Sequence, residues 1–177
     1  MARSTKKWGT LTAIIFILIA ALATYIFYPY HYILTFEKQR TGELLAYLPI
    51  EENRNFHIKY THSVHLSEVV EYYQAIEGNI KPVKLVYEDT AIGMPSDAHG
   101  EDTFRMEDGK YIIEKSENAT PFEELNLSVG QVRAEHKVIH NNQTYLLKNY
   151  VGAGTNVTID AQTRSRWQLW KGVNMLE

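Results

Sequence analysis

The stretch that decides the fold runs from Phe56 to Tyr73 and reads FHIKYTHSVHLSEVVEYY. Its first half alternates, and an extended strand would place on one face Phe56, Ile58, Tyr60, His62, Val64 and Leu66. The opposite face would carry the polar residues His57, Lys59, Thr61, Ser63 and His65. This alternation predicts a half-buried antiparallel strand. His62 is the exception, because it is a polar residue on the apolar face.

The rest of the chain after residue 30 repeats this pattern in ten or so short strands. Asp108-Gly109 and Asn141-Asn142 stand between alternating runs and predict hairpin turns. Residues 121–124 are the one place where a short helical turn is expected, and no amphipathic helix of three turns is apparent. The sequence therefore predicts an all-β fold, either an antiparallel sandwich or a partly closed barrel.

The N-terminal segment differs in composition from everything that follows. Residues 8–36 contain no charged side chain, and residues 11–28 are strongly apolar. We expect residues 1–29 to form a cytoplasmic stub and a transmembrane anchor, because a span needs roughly 20 apolar residues. Arg3, Lys6 and Lys7 precede it, which predicts a cytoplasmic N-terminus and an extracytoplasmic domain over residues 30–177. The alternative is a secretory signal cleaved after Ala21-Leu22-Ala23, which gives the domain the same location.

Composition excludes several classes of protein. The chain has no cysteine, so it can form neither disulfides nor thiolate metal sites. All 21 acidic residues lie from Glu37 onward, together with all but three of the 18 basic residues. The domain is therefore mildly acidic, which argues against a nucleic-acid partner.

Metal binding is one chemistry that the histidines suggest. The potential ligands are His62, His65, Glu68, Glu71, His99, His136 and His140. Their spacing matches no established zinc motif. The favoured interpretation is that His62 lies in the core and hydrogen-bonds Glu71 or Ser63, since buried polar groups need partners. We therefore predict no metal and no cofactor.

Catalysis is the second possibility, since Ser63 adjoins His62 and Glu71 is close in sequence. Adjacent strand residues point to opposite faces, so His62 is badly placed to take a proton from Ser63. A Gly-x-Ser-x-Gly elbow is absent from the sequence. We predict that the protein is not an enzyme. The loop over residues 91–102 is either a binding loop or a solvated connection, and the sequence leaves both open.

Several of these residues together resemble a known family. They are the run Tyr60-Thr-His-Ser-Val64 with Glu71 and Tyr73, then Gly93-Met-Pro95, Asp108-Gly-Lys-Tyr111 and His136. The pattern is similar to the bacterial domain of unknown function family 1850 over roughly residues 30–161. If the chain binds a ligand, the candidate residues are His62, Ser63, Glu71, Gly93, Met94, Pro95 and His136.

The resemblance implies a role in solute uptake. Members of that family are small proteins with an N-terminal apolar segment, encoded beside TAXI-class TRAP transporters. The resemblance implies that this chain is a non-enzymatic accessory protein anchored in the lipid bilayer. Such a protein would contact the transporter permease or its solute-binding protein. The alternative is an extracytoplasmic solute- or metal-binding module that uses the His62/Glu71 region, and a hydrolase ranks third.

Overall fold

The computed structural model describes residues 3–51, 54–62, 65–89 and 94–177, with side chains from residue 8 onward. Within them, a long helix α1 (Arg3–Phe27) precedes a domain that contains two one-turn helices, α2 (Lys148–Val151) and α3 (Arg166–Leu169). The strands of that domain are β1 (His31–Lys38), β2 (Glu43–Pro49), β3 (Asn55–Thr61), β4 (Glu68–Ile76), β5 (Asn79–Tyr87), β6 (Thr103–Glu107), β7 (Lys110–Glu114), β8 (Glu124–Ser128), β9 (Lys137–His140), β10 (Gln143–Leu146), β11 (Asn156–Arg164) and β12 (Val173–Asn174).

The strands form two sheets that pack face to face. Sheet A has five strands in the order β12-β2-β1-β11-β8, and sheet B has seven in the order β10-β9-β3-β4-β5-β7-β6. Every described pairing is antiparallel except that of β12 with β2, which is parallel. The sheets do not close into a barrel. The predicted all-β fold is therefore confirmed, and of the two predicted architectures it is the sandwich and not the partly closed barrel.

The core lies between the two inner faces. Leu34 and Phe36 of β1 are fully buried there, and Phe56 and Ile58 of β3 reach them from sheet B with at most 1% of their surface exposed. These residues alternate with outward-facing neighbours, as the pleat of a strand requires. Truncating such a side chain to alanine costs about 2–5 kcal/mol.

The outer face of sheet A is also covered. Ile33 points away from the core, yet only 1% of its surface is exposed. The C-terminal segment, residues 165–177, covers this face with its first part, since a Cβ on Gly172 would lie 2.8 Å from the Leu44 side chain. The side chain of Leu169 in this part is buried as well. Residues 165–172 therefore add a third layer over part of sheet A, and the segment then joins the edge of the sheet as β12.

Helix α1 stands outside the sandwich. Residues 8–27 have a mean hydropathy of 2.4 and none of this stretch is buried. Twenty helical residues extend about 30 Å, which is the thickness of a bilayer core. The helix is thus compatible with a single-pass membrane anchor. Three residues, 28–30, separate it from β1.

The turn predictions had mixed outcomes. Asp108 and Gly109 adopt left-handed backbone conformations between β6 and β7, and so do Asn141 and Asn142 between β9 and β10, so both hairpins are confirmed. The helical turn expected at residues 121–124 is wrong. Phe122 instead forms an isolated β-bridge with Ile80 through two backbone hydrogen bonds of 2.9 and 3.0 Å, which holds that segment extended.

Candidate functional site

The stretch that defines the fold forms a hairpin rather than one long strand. β3 ends at Thr61, and the chain turns between His62 and Ser67. The His62 N–H donates to the Ser67 carbonyl at 2.8 Å, and the Leu66 N–H donates to the His62 carbonyl at 2.9 Å. Leu66 has a φ of +56° and is 61% exposed. The prediction that Leu66 faces the core is therefore wrong, because the turn ends the strand's alternation.

Glu71 lies on the inner face of sheet B between two tyrosines. It sits opposite Ile58 in the β3–β4 register, which directs its side chain toward the core. The Tyr60 hydroxyl donates to Glu71 Oε1 at 3.2 Å, and the Tyr73 hydroxyl donates to Oε2 at 2.7 Å. The Tyr73 ring in turn stacks on Phe56 at 5.5 Å between centroids. We call these three residues the Tyr60–Glu71–Tyr73 cluster.

The two phenols of this cluster are held in their protonated form. Burial raises the pKa of Tyr60, and the neighbouring Glu71 carboxylate raises it further. The same two causes, in the same order, raise the pKa of Tyr73. Both hydroxyls therefore remain hydrogen-bond donors over the whole physiological pH range, and they bind the carboxylate rather than act as bases.

His136 joins the cluster through Tyr60. Its ring stacks on the Tyr60 ring at 5.1 Å between centroids, and 8% of its surface is exposed. Burial lowers the pKa of His136, against a smaller opposing effect of the Ala134 carbonyl. The neutral ring accepts a hydrogen bond at Nδ1 from the Gly130 N–H at 3.0 Å. His136 thus ties the loop before β9 to the hairpin.

Two alternative partners are predicted for His62, namely Glu71 and Ser63. The Glu71 alternative is wrong, because the hydrogen bonds that described side chains make to that carboxylate come from Tyr60 and Tyr73. The Ser63 alternative lies outside the described residues. Nδ1 of His62 is buried and has no hydrogen-bond partner among the described residues. The His62 ring lies 6.1 Å from that of His65, whose Nδ1 contacts Asp89 Oδ2 at 2.8 Å.

Met94 and Pro95, the described residues of the Gly-Met-Pro segment, contact Tyr87 at the end of β5. The Tyr87 hydroxyl donates to the Pro95 carbonyl, and Met94 packs against the buried residues Val69 and Tyr87. Tyr60 packs against this same group, so it links Met94 to Glu71 and His136. Ser63 and Gly93, two further candidates, lie outside the described residues.

The β3–β4 turn lies at the end of the sandwich opposite α1. At the other end of β4, the Gly78 N–H donates to the hydroxyl of Tyr32, which is close to the start of β1. β4 has nine residues and so extends about 30 Å away from that point. The exposed side chain of Leu66 is thus directed to the end of the domain most remote from α1.

The loop that precedes β6 is fastened by a carboxylate. Asp102 is 11% exposed, and its two oxygens accept hydrogen bonds from Lys115 Nζ at 2.8 Å and from the Ser116 N–H at 3.0 Å. These bonds, that of Lys115 first, lower the pKa of Asp102. A carboxyl group whose pKa is lower in the folded state stabilises the fold at neutral pH. That stabilisation is lost as the pH falls from about 4 through the folded-state pKa.

We expect Asp102→Asn to reduce the free energy of unfolding by about 1 kcal/mol near neutral pH. Urea unfolding near neutral pH and in acid would measure the effect, which should shrink toward zero in acid because the wild-type carboxylate is then protonated. Asp97→Asn is the matched control, since Asp97 is exposed and, among the described residues, accepts a hydrogen bond from its neighbour Ala98 alone. A deficit for Asp102→Asn that is independent of pH would contradict the assignment.

A cavity of about 420 Å³ lies between the outer face of sheet A and the C-terminal segment, lined by His31, Tyr47, Arg166 and Trp170 among others. Within the described residues, no three His, Asp or Glu side chains are grouped so that they could hold a metal ion. In the Tyr60–Glu71–Tyr73 cluster, Tyr73 is buried, and Tyr60 and Glu71 are partly buried.

Two of the most informative residues were not among the predicted binding residues. Tyr60 and Tyr73 belong to the family motif, whereas the partner predicted for the Glu71 carboxylate is His62. Strand parity contained the necessary signal, because Tyr73 lies two residues from Glu71 and Tyr60 lies across the hairpin on the same inner face.

These features define a class: a small β-sandwich domain that follows one apolar helix and is built around a buried tyrosine–carboxylate cluster. A family model described as Domain of unknown function (DUF1850) matches residues 56–147, which is more than half of the chain. The chain belongs to this family. No curated protein and no solved structure matches it. The matched region contains β8 and all of sheet B except Asn55, the first residue of β3, and it ends before β11 and the C-terminal segment.

Proposed function

We propose that the protein is a membrane-anchored, extracytoplasmic accessory protein of a TAXI-class TRAP solute transporter. It acts by contact with another protein and catalyses no reaction. The observation that carries this proposal is the connection between helix and domain, because only residues 28–30 separate α1 from β1. A linker of this length holds the sandwich against the bilayer, within reach of a membrane-embedded transporter.

The topology follows from charge. Arg3, Lys6 and Lys7 precede the apolar segment, and positively charged flanks stay in the cytoplasm. The domain after α1 is then on the outer side of the membrane, where the solute-binding protein of such a transporter works. The family resemblance supports the choice of transporter, because members are encoded beside TAXI-class TRAP systems.

The β3–β4 turn is the surface that this proposal assigns to the partner. It belongs to the family motif, it lies at the end remote from α1, and it presents Leu66 with 61% of its surface exposed. The Tyr60–Glu71–Tyr73 cluster joins β3 to β4 immediately behind it. The cluster therefore supports the turn, and the turn contacts a partner that approaches from outside the membrane, which favours the solute-binding protein over the permease.

Photo-crosslinking in intact cells tests the proposal. A photoreactive amino acid replaces Leu66 in the full chain, in cells that also produce the transporter subunits. We expect a cross-linked product that contains the solute-binding protein. Val83 provides the matched control, because it is an exposed apolar residue on β5 at a distance from the turn. Absence of any transporter subunit from both products, in cells where the chain is found in the membrane, would contradict the proposal.

A further inference from the structure

The C-terminal segment carries two exposed tryptophans whose orientation is set by a helix cap. Ser165 caps α3: its hydroxyl accepts from the Gln168 N–H at 3.3 Å, and the Gln168 side chain accepts from the Ser165 N–H at 2.8 Å. Leu169 on this helix is 7% exposed, whereas Trp167 is 54% exposed and the adjacent Trp170 is 70% exposed. The cap thus fixes the single turn of α3 so that the Leu169 side chain is buried and the rings of Trp167 and Trp170 are exposed.

These tryptophans continue an aromatic surface that begins on α1. The Trp167 ring lies 5.7 Å from the ring of Phe27, the last residue of the helix, and 5.5 Å from the ring of Trp170. Arg166 reinforces the junction, because its guanidinium lies 4.4 Å from the centroid of the Tyr25 ring and bonds the Tyr30 hydroxyl. The start of α3 is therefore in direct contact with the end of α1.

The position of this junction identifies what it faces. An apolar helix over residues 8–27 extends about 30 Å and ends where the hydrocarbon core ends. Phe27 then lies at the boundary between hydrocarbon and headgroups, and Trp167 and Trp170 lie beside it. Tryptophan is enriched at that depth, because an indole combines a large apolar body with one N–H donor. A guanidinium such as that of Arg166 binds phosphate, the group that lipid headgroups present there.

We propose that Trp167 and Trp170, with Arg166, form a second membrane contact that inserts into the headgroup region of the outer leaflet. This inference rests on the membrane anchor of the proposed function but not on the transporter. Two contacts, the helix and the tryptophan pair, fix the tilt and rotation of the domain, whereas one helix alone would let it swivel. The domain then presents its β3–β4 turn in one direction.

Tryptophan fluorescence of the full chain in lipid nanodiscs tests the proposal, because the sequence contains only three tryptophans. Trp8→Phe leaves emission from Trp167 and Trp170 alone, and it changes nothing in the sandwich. The nanodiscs contain phosphatidylcholine and phosphatidylglycerol with bromine either high on the acyl chains or near their ends. We expect the high bromine to quench the emission by roughly half and the deep bromine to quench it much less.

The matched control is Trp167→Phe with Trp170→Phe, in which only Trp8 emits. If Trp8 is quenched while Trp167 and Trp170 are not, the helix is inserted and the tryptophan surface faces water or protein, which overturns this inference and leaves the anchor standing. If the emission of neither variant is quenched, the helix is outside the bilayer and both proposals fail. Deep quenching of Trp167 and Trp170 would also overturn the proposed headgroup position.

Discussion

Replacement of Glu71 by alanine is expected to lower the free energy of unfolding by about 3 kcal/mol. The substitution removes the acceptor of two phenolic hydroxyls, those of Tyr60 and Tyr73, which lie on the inner face of sheet B. Water does not replace the carboxylate easily there, since Tyr73 is only 8% exposed. Relief of the carboxylate's own desolvation offsets part of the loss, but two unpaired hydroxyls and a cavity outweigh it. Urea unfolding of the full chain in detergent would measure the change.

Two sets of variants test this explanation. Glu68→Ala is the matched control, because Glu68 is on the same strand and makes a half-exposed ion pair with Lys59, so its loss should cost less than about 0.5 kcal/mol. The combination of Glu71→Leu, Tyr60→Phe and Tyr73→Phe removes donors and acceptor together and should recover most of the stability. An effect of Glu71→Ala no larger than that of Glu68→Ala would refute the role of the cluster.

Replacement of Gly130 by alanine is expected to cost about 3 kcal/mol for a different reason. A Cβ at this position would lie 2.1 Å from the Ala134 carbonyl oxygen and 2.9 Å from its carbonyl carbon. Both sides of the clash are backbone, so one segment must move. The movement would also lengthen the 3.0 Å hydrogen bond from the Gly130 N–H to His136 Nδ1. This would weaken the connection that His136 makes between the loop before β9 and the β3–β4 hairpin.

Val132→Ala in the same loop is the control, since Val132 is 82% exposed and should change stability by less than about 0.5 kcal/mol. The sign of the Gly130 effect is itself informative. At a site with free space and a compatible backbone conformation, replacing glycine by alanine stabilises a protein by about 0.4–1 kcal/mol, because it lowers the conformational entropy of the unfolded chain. A Gly130→Ala protein as stable as the Val132→Ala protein would show that the loop relaxes and that the close approach carries no weight.

The sequence contained enough local information to predict most of the fold. Asp108-Gly109 and Asn141-Asn142 predicted their hairpins correctly because left-handed backbone conformations have a strong residue preference. The prediction of a helical turn at residues 121–124 is wrong because Phe122 forms a β-bridge with Ile80. This bridge is a tertiary contact, and local sequence propensity contains no information about it. The C-terminal helix was missed for a related reason. Its single turn is fixed by the Ser165 cap and by the packing of Leu169. A helix of four residues is too short to produce a detectable apolar periodicity in the sequence.

The candidate site was predicted less well. Strand parity correctly places Tyr60 on the inner face of β3. It also extends β3 as far as Leu66, because the alternation in the sequence continues beyond Thr61, where the strand ends. The pairing of Glu71 with His62 rests on the rule that a buried polar group needs a hydrogen-bond partner. Tyr60 and Tyr73, on the same face, lie closer to the Glu71 carboxylate than His62 does. Only the register of β3 with β4 shows that their hydroxyls reach both of its oxygens.

The pairing of β1 with β11 determines the order in which the sandwich can be completed. Thr35 and Asp160 are partners across 125 residues, so β1 is synthesised long before the strand that becomes its neighbour in sheet A. At about 5–20 residues per second, the interval is roughly 6 to 25 s. Throughout that time the β1–β2 hairpin lacks its neighbour β11 in sheet A, beside a helix that is itself apolar, although the strands of sheet B that cover Leu34 and Phe36 emerge earlier. We therefore expect chain release, rather than emergence of the first strands, to limit the appearance of folded domain, and a nascent chain stalled before β11 should remain sensitive to protease and dependent on chaperones.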